Sequence, residues 1–147
     1  MICSTFNEHI IHTIEMNRLM LEQRTKKFNI DAIKLCENFP KNAAGFEIAR
    51  QLIRSAGSVG ANYRATKRAK STADFIHKLD IVLEEADESH YWLEIIRDSD
   101  LKIGEEIDRL IKEAYELTAI FAAAGRTAKK NNLLQQQAAG RKQGKLP

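Results

Sequence analysis

The feature that most constrains the fold is a run of small residues, a basic segment and a long amphipathic pattern between Arg50 and Ile96. It reads RQLIRSAGSVGANYRATKRAKSTADFIHKLDIVLEEADESHYWLEII. Apolar residues recur at steps of three and four on both sides of the basic segment, which is the period of an α-helix. The stretch therefore predicts two packed helices joined by a short cationic connection.

The first of these helices is expected over about residues 44–67, and its centre consists almost entirely of small residues. Glycine inside a helix costs about 1 kcal/mol relative to alanine. The presence of both Gly57 and Gly60 therefore indicates that a neighbouring backbone approaches closely. A break in the helix at Gly57 is the alternative.

The following helix has the clearest pattern, with about seven turns of apolar periodicity and an identifiable start. Ser71 or Thr72 is the expected N-cap, and Asp74 lies in the first turn, where the helix dipole favours a carboxylate. Ser99 and Asp100 are expected to end it.

Two further helices complete the prediction. One is expected over about residues 21–38, closed by Pro40, and the other starts near Glu105 and keeps a core face as far as Phe121. No strand pattern competes, and the links are short. The sequence therefore predicts an all-α, antiparallel up-down-up-down four-helix bundle.

The 147 residues suit one domain with two flanking segments. Residues 1–20 are expected to be an N-terminal extension that forms a short helix or lengthens the first one, and residues 21–125 the bundle. Residues 126–147 are expected to form a flexible basic tail when unbound, because their composition is biased and polar. This tail contains no acidic residue and six basic ones: Arg126, Lys129, Lys130, Arg141, Lys142 and Lys145.

The setting expected for the chain is the cytoplasm. No apolar run approaches the roughly 20 residues that span a bilayer, so no membrane partner is predicted. The N-terminus lacks the pattern of a secretory signal. The only cysteines, Cys3 and Cys36, form no CxxC motif, and Cys36 falls on an apolar face as a small core residue.

The net charge of +3 is distributed unevenly, with one internal cluster besides the C-terminal segment. The cluster, here called the basic corner, comprises Arg64, Lys67, Arg68 and Lys70. Together with the basic tail it is a candidate for binding nucleic-acid phosphates, with an affinity that comes from counterion release and depends strongly on salt. Such contacts carry no base specificity. The alternative is a solvated surface.

Metal chemistry is a weaker candidate, and no metal or cofactor is expected. His9 and His12 lie three residues apart, and two Asp-x-x-His pairs end at His77 and His90. Di-iron bundles need such motifs on two different helices, whereas both pairs lie on one predicted helix. These groups are expected to be solvated or to cap helices.

Catalysis by the acidic run over residues 84–88 is also disfavoured. Such a run is more often a solvated face or a partner for basic side chains, and Arg50 and Arg54 are suitable partners across the hairpin. No serine or cysteine has a local setting that would activate it as a nucleophile. The chain is therefore expected not to be an enzyme.

A second candidate site concerns packing and self-association. Tyr91 and Trp92 are adjacent and so point about 100° apart on a helix. One is expected in the core and the other at the edge or at a subunit contact, where aromatic residues are enriched. The residues assigned to close packing or oligomer contacts are Ser55, Gly57, Gly60, Tyr91 and Trp92.

The pattern RS-x-x-S-x-x-x-N, the basic turn, ADFIHKL and EAD-x-x-x-YWLE together resemble the bacterial four-helix-bundle family of proteins encoded in intervening sequences of 23S ribosomal RNA genes. The resemblance runs from about Leu21 to Phe121. One departure is Ala65 or Thr66, where relatives often have an acidic residue. The residues that carry the match are Arg54, Ser55, Ser58, Asn62, Phe75, Leu79, Glu85 and Trp92.

This resemblance implies an antiparallel bundle that assembles into a ring, commonly a pentamer, with no known catalysis. A related branch, the accessory variability proteins of diversity-generating retroelements, is implied to bind RNA and a reverse transcriptase. We therefore expect a non-enzymatic homo-oligomer that binds RNA or another polyanion. The alternative is a protein-interaction scaffold, such as an accessory subunit of a reverse-transcriptase or mobile-element complex.

Overall fold

The computed structural model describes the backbone of residues 2–143 and the side chains of residues 15–141. It contains four α-helices and one short 3-10 helix. They are α1 (Ile2–Cys36), α2 (Ala43–Ala65), the 3-10 helix (Thr66–Arg68), α3 (Thr72–Asp98) and α4 (Glu105–Gln143).

The four helices form a closed bundle in which chain neighbours are also neighbours in space. α2 packs against α1 and α3, and α4 packs against α3 and α1. Arg24 ties α1 to α4 through a bidentate pair with Glu113, at 2.6 and 2.8 Å. The described residues contain no strand. The predicted all-α four-helix bundle is confirmed.

Each helix contributes one apolar face to a single core. The largest fully buried side chains include Phe28 of α1 and Phe121 of α4, the first and last helices. Burial of such side chains is the main favourable term in folding. The core residues are Phe28, Ala32, Leu35, Phe39, Leu52, Ala56, Val59, Leu79, Val82, Ala86, Leu93, Ile96, Ile107, Leu110, Ala114, Leu117 and Phe121.

Side chains satisfy the backbone at the starts of α2 and α3. Asn42 Oδ1 accepts a hydrogen bond from the Gly45 N–H at 2.9 Å. Ser71 Oγ accepts one from the Asp74 N–H at 3.1 Å, so Ser71 is the N-cap of α3. A Cβ atom at position 45 would lie 2.1 Å from the carbonyl oxygen of Pro40, which restricts this position to glycine.

The structure decides between two pairs of alternatives left by the sequence, and it differs from prediction at the end of α4. α2 is unbroken at Gly57, so the alternative of a break there is wrong. α1 includes the N-terminal extension from Ile2 onward. α4 continues to Gln143, although a flexible tail was predicted from Arg126.

The continuation of α4 has a local and a tertiary cause. The segment is rich in alanine, glutamine, lysine and leucine, which favour helix. Ala128 packs against the core, and Lys129 Nζ lies 2.8 Å from Asp80 Oδ1 of α3. Residues 126–129 therefore belong to the bundle instead of to a separate tail. No helix in the described part of the chain is long and apolar enough to cross a membrane.

Candidate nucleic-acid interface

The basic corner is formed by the tight connection from α2 to α3. The Thr66 hydroxyl is buried and donates to the Tyr63 carbonyl at 2.7 Å, and the Ala69 N–H donates to the Thr66 carbonyl at 3.2 Å. These bonds fix the 3-10 turn, so the cationic side chains around it project outward.

The corner borders a groove of about 530 Å³ between α1 and α2. Its floor includes small residues of α2, and its walls carry long polar side chains from both helices. The lining residues are Leu19, Glu22, Gln23, Lys26, Asn29, Gly57, Gly60, Ala61, Arg64, Lys67 and Arg68. The basic corner and the small residues at the centre of α2 thus line the same groove.

The glycines lie where α2 contacts α1. A Cβ atom at Gly57 would lie 3.5 Å from the Asn29 side chain, and one at Gly60 would lie 3.5 Å from Thr25 Oγ1 and 3.6 Å from the Thr25 backbone. These are ordinary van der Waals distances. Both positions therefore have room for a Cβ atom beside α1 of the same chain, and this contact does not by itself require glycine.

The charge of the groove is predominantly positive. Lys67 Nζ lies 2.5 Å from Glu22 Oε1, close enough for an ion pair. Lys26, Arg64 and Arg68 have no carboxylate oxygen within 4.0 Å among the side chains that the structure describes. All three are exposed at the surface. The groove therefore has three cations whose charge is not neutralised locally.

Lys70 belongs to the corner in sequence but does not line the groove. Its backbone N–H donates to Asp74 Oδ2 at 2.8 Å, next to the start of α3. The hydrogen bond from Lys78 is the main cause of a lowered pKa of the Asp74 carboxyl group, and the Lys70 N–H adds to it. The corner thus faces the groove with three of its four cations.

The C-terminal cations lie elsewhere on the molecule. Arg126, Lys129, Lys130 and Arg141 lie on α4, and none of them lines the groove. Lys129 is paired with Asp80. The side chain of Lys142 and the whole of Lys145 lie outside the described residues. The structure therefore presents two cationic regions. The corner borders the groove between α1 and α2, and Lys129 lies beside Asp80 in a separate recess between α3 and α4.

Sequence reasoning missed the residues that α1 contributes to the groove. Lys26 and Asn29 lie three residues apart on α1 and reach the groove from the opposite wall. Their spacing places them on one face of the helix. No local pattern indicates, however, that this face lies beside Gly57.

The acidic run of α3 proves to be a partner for α2. Arg54 forms an ion pair with Glu88 and lies 3.3 Å from Glu85, so the predicted pairing of Arg54 is confirmed. Arg50 pairs instead with Glu47, at 2.7 Å within its own helix. The carboxylates of this run therefore join two helices.

The two adjacent aromatic residues of α3 differ in burial, as predicted. Trp92 is half-buried against the core, and its Nε1–H donates to Glu88 Oε1 at 3.2 Å. Tyr91 is 53% exposed, with its ring edge-on to Trp92. Ser55 is fully buried at the contact between α2 and α3. Of the residues assigned to self-association, Tyr91 is therefore the one that projects into solvent.

The remaining polar candidates lie apart. His90 Nε2 is 4.0 Å from Glu94, and no cluster of three potential metal ligands occurs among the described residues. The side chains of Cys3, His9 and His12 lie outside the described part. Burial raises the pKa of the Cys36 thiol to about 12, so Cys36 is a protonated packing residue at neutral pH.

A sequence profile of the family described as 23S rRNA-intervening sequence protein matches residues 17–123. The fold is also similar to a crystal structure from Bacteroides thetaiotaomicron VPI-5482, described as a protein with unknown function from the S23 ribosomal protein family. That likeness has a TM-score of 0.67 and 28% sequence identity, and it covers 74% of this chain and 97% of the other. No curated protein matches the sequence.

Proposed function

Because the chain belongs to the family of 23S rRNA-intervening sequence proteins, we propose that it binds RNA or another polyanion through the basic corner, in a binding role without catalysis. The observation that carries the proposal is the unneutralised charge of Lys26, Arg64 and Arg68 around one groove. Cations in a concave surface concentrate a positive potential and attract a polyanion. Arginine is also well suited to phosphate because its planar fork donates two hydrogen bonds.

The second element of the proposal is assembly into a homo-oligomer, with five subunits by resemblance to the family. Exposed large apolar side chains on three helices, including Phe46, Tyr91 and Tyr115, support it. In a ring the corner recurs once per subunit, so one RNA can contact several corners. The cations of α4 add further phosphate contacts, with Arg141 close to the end of the described helix.

A protein-interaction scaffold is the alternative function, in which the same cations bind an acidic protein such as a subunit of a reverse-transcriptase complex. Gene position distinguishes the two. Location inside a ribosomal RNA gene favours the RNA function, and location beside a reverse-transcriptase gene favours the scaffold.

A salt titration of RNA binding tests the proposal directly. The logarithm of the affinity of the full chain for a structured RNA is expected to fall linearly with the logarithm of salt concentration. Arg64→Gln with Arg68→Gln is expected to weaken binding about equally for all sequences and to reduce the slope by about 1–2.

The matched control is Lys34→Gln with Lys41→Gln, which removes the same charge from two exposed residues outside the groove. This control is expected to keep most of the affinity and the slope. If the full chain fails to bind RNA at low salt, RNA binding is rejected in favour of the scaffold. If both double variants lose affinity equally, the corner is not the binding site.

A further inference from the structure

We infer that the groove between α1 and α2 binds the sugar–phosphate backbone of single-stranded RNA, and that Asn29 selects ribose over deoxyribose. The inference rests on the proposed function and adds the class of nucleic acid to it. It depends on three features that meet in the groove: cations on both walls, a floor of small residues and a hydrogen-bond acceptor without a partner.

The cations are placed to hold consecutive phosphates. Lys26 stands on the α1 wall, whereas Arg64 and Arg68 stand on the opposite wall and at the turn beyond it. A strand that follows the groove therefore has positive charge on both sides. Hydrogen bonds from arginine to phosphate are charge-assisted and so are among the stronger ones.

The floor allows a backbone to come close to the helices. Ala61 is exposed there, and neither Gly57 nor Gly60 has a side chain that would fill the space. The groove is a recess between two helices and so admits one strand more readily than a duplex. Single strands are also the form in which RNA exposes its backbone and bases most fully.

The acceptor is the side-chain carbonyl of Asn29. Its Oδ1 atom is buried and has no hydrogen-bond partner among the described residues. A buried acceptor without a donor is destabilising, so a ligand that supplies a donor gains that hydrogen bond. Gln23 and Lys26 line the same groove, and their long, exposed side chains can move to let a ligand reach Asn29.

The 2′-hydroxyl of RNA is such a donor, and DNA lacks it. A strand whose phosphates lie on the cationic walls carries its ribose hydroxyls along the floor between them. Glu22 Oε1 on the same wall lies 2.5 Å from Lys67 Nζ, so that carboxylate is already engaged and Asn29 is the acceptor that remains. The groove therefore distinguishes the two sugars without reading bases.

The test compares oligouridine with oligodeoxyuridine of equal length, since the two differ only in the sugar. Anisotropy titrations of the full chain at low salt are expected to show a preference for RNA of about threefold to tenfold, the contribution of one hydrogen bond. Asn29→Ala is expected to abolish this preference, and Asn17→Ala, an exposed site on the same helix, is expected to keep it.

A second pair of variants tests the groove itself. Ala61→Trp fills it from an exposed position and is expected to lower RNA affinity severalfold, whereas Ala44→Trp near the start of α2 is expected to have no effect. If Asn29→Ala does not fold, this pair still tests whether RNA binds in the groove.

Equal binding of RNA and DNA, or a preference that survives in Asn29→Ala, overturns the inference while polyanion binding stands. Unchanged RNA affinity in Ala61→Trp overturns it as well. If neither oligonucleotide nor a structured RNA binds at low salt, the proposed function fails together with it.

Discussion

The Oγ atoms of Ser55 and Ser89 lie 2.9 Å apart at the contact between α2 and α3, and both residues are fully buried. Ser55 Oγ also donates to the Leu52 carbonyl at 3.2 Å, and Ser89 Oγ lies 2.7 Å from the Glu85 carbonyl. Ser89 has a single hydroxyl proton, which can go either to Ser55 Oγ or to the Glu85 carbonyl, and both hydroxyl protons have an acceptor in either case. Two small side chains that satisfy each other allow the helices to approach closely without a buried unpaired group.

Enlarging this contact is expected to destabilise the bundle. Ser89→Leu forces extra volume against Ser55, and overpacking of this kind costs about 1–3 kcal/mol in the free energy of unfolding. Chemical denaturation measures it. Asp87→Leu places the same side chain on the exposed face of α3 and is expected to change stability little. Equal stability of the two variants would show that the serine contact is loosely packed.

Gly60 is expected to tolerate alanine but not leucine. A Cβ atom there would lie 3.5–3.7 Å from Thr25, which is normal contact, and alanine favours helix by up to about 1 kcal/mol. Leucine would extend into the α1 backbone and lower the free energy of unfolding by about 1–3 kcal/mol. Gly140→Leu, where a Cβ atom meets nothing within 4 Å, is the control for denaturation. An unaffected Gly60→Leu variant would contradict the close approach.

The helices could largely be predicted from sequence because their signals are local. The apolar period gave the body of α3, and an N-cap with an acidic first turn gave its start at Thr72. The end of α4 could not be predicted in this way. Composition alone suggested a tail from Arg126, whereas contacts of Ala128 and Lys129 with the bundle are long-range.

Acid is expected to weaken the link between α2 and α3. The hydrogen bond from Arg54 is the main reason that the pKa of the Glu88 carboxyl group lies below its ordinary range, and the Trp92 N–H adds to it. A carboxyl group with a lowered folded-state pKa stabilises the protein above its unfolded pKa, and this contribution is lost as the pH falls through the folded value.

Glu88→Gln is therefore expected to lower the free energy of unfolding above about pH 5 by about 0.2–1 kcal/mol, the range for a partly exposed ion pair. The difference from the wild type is expected to shrink as the pH falls below the unfolded pKa. Denaturation at several pH values measures it. Glu84→Gln, at an exposed site without a described ion pair, is the control. A difference that grows toward acid would contradict the assignment.

Only the basic residues of the α2–α3 connection could be predicted as part of the candidate site. The density of basic residues from Arg64 to Lys70 is visible in the sequence, and the pairing of Arg54 with the acidic run follows from an expected hairpin. The wall that contains Lys26 and Asn29 depends on which face of α1 meets Gly57. That register results from packing of the whole core, and no motif within α1 encodes it.

Assembly is expected to depend on Tyr91 and stability on Trp92. We predict that the protein is a homo-oligomer, with Tyr91 at the subunit contact because this aromatic residue is 53% exposed. Tyr91→Glu is expected to lower the mass measured by light scattering and to leave the helical circular dichroism intact. Trp92→Ala, which removes a ring packed on the core, is expected to cost about 3 kcal/mol or somewhat less in unfolding free energy. The control for assembly is Thr127→Glu, which places the same charge on an exposed polar residue of α4. A stable monomer at micromolar concentration, or a Tyr91→Glu variant that assembles like the wild type, would reject this interface.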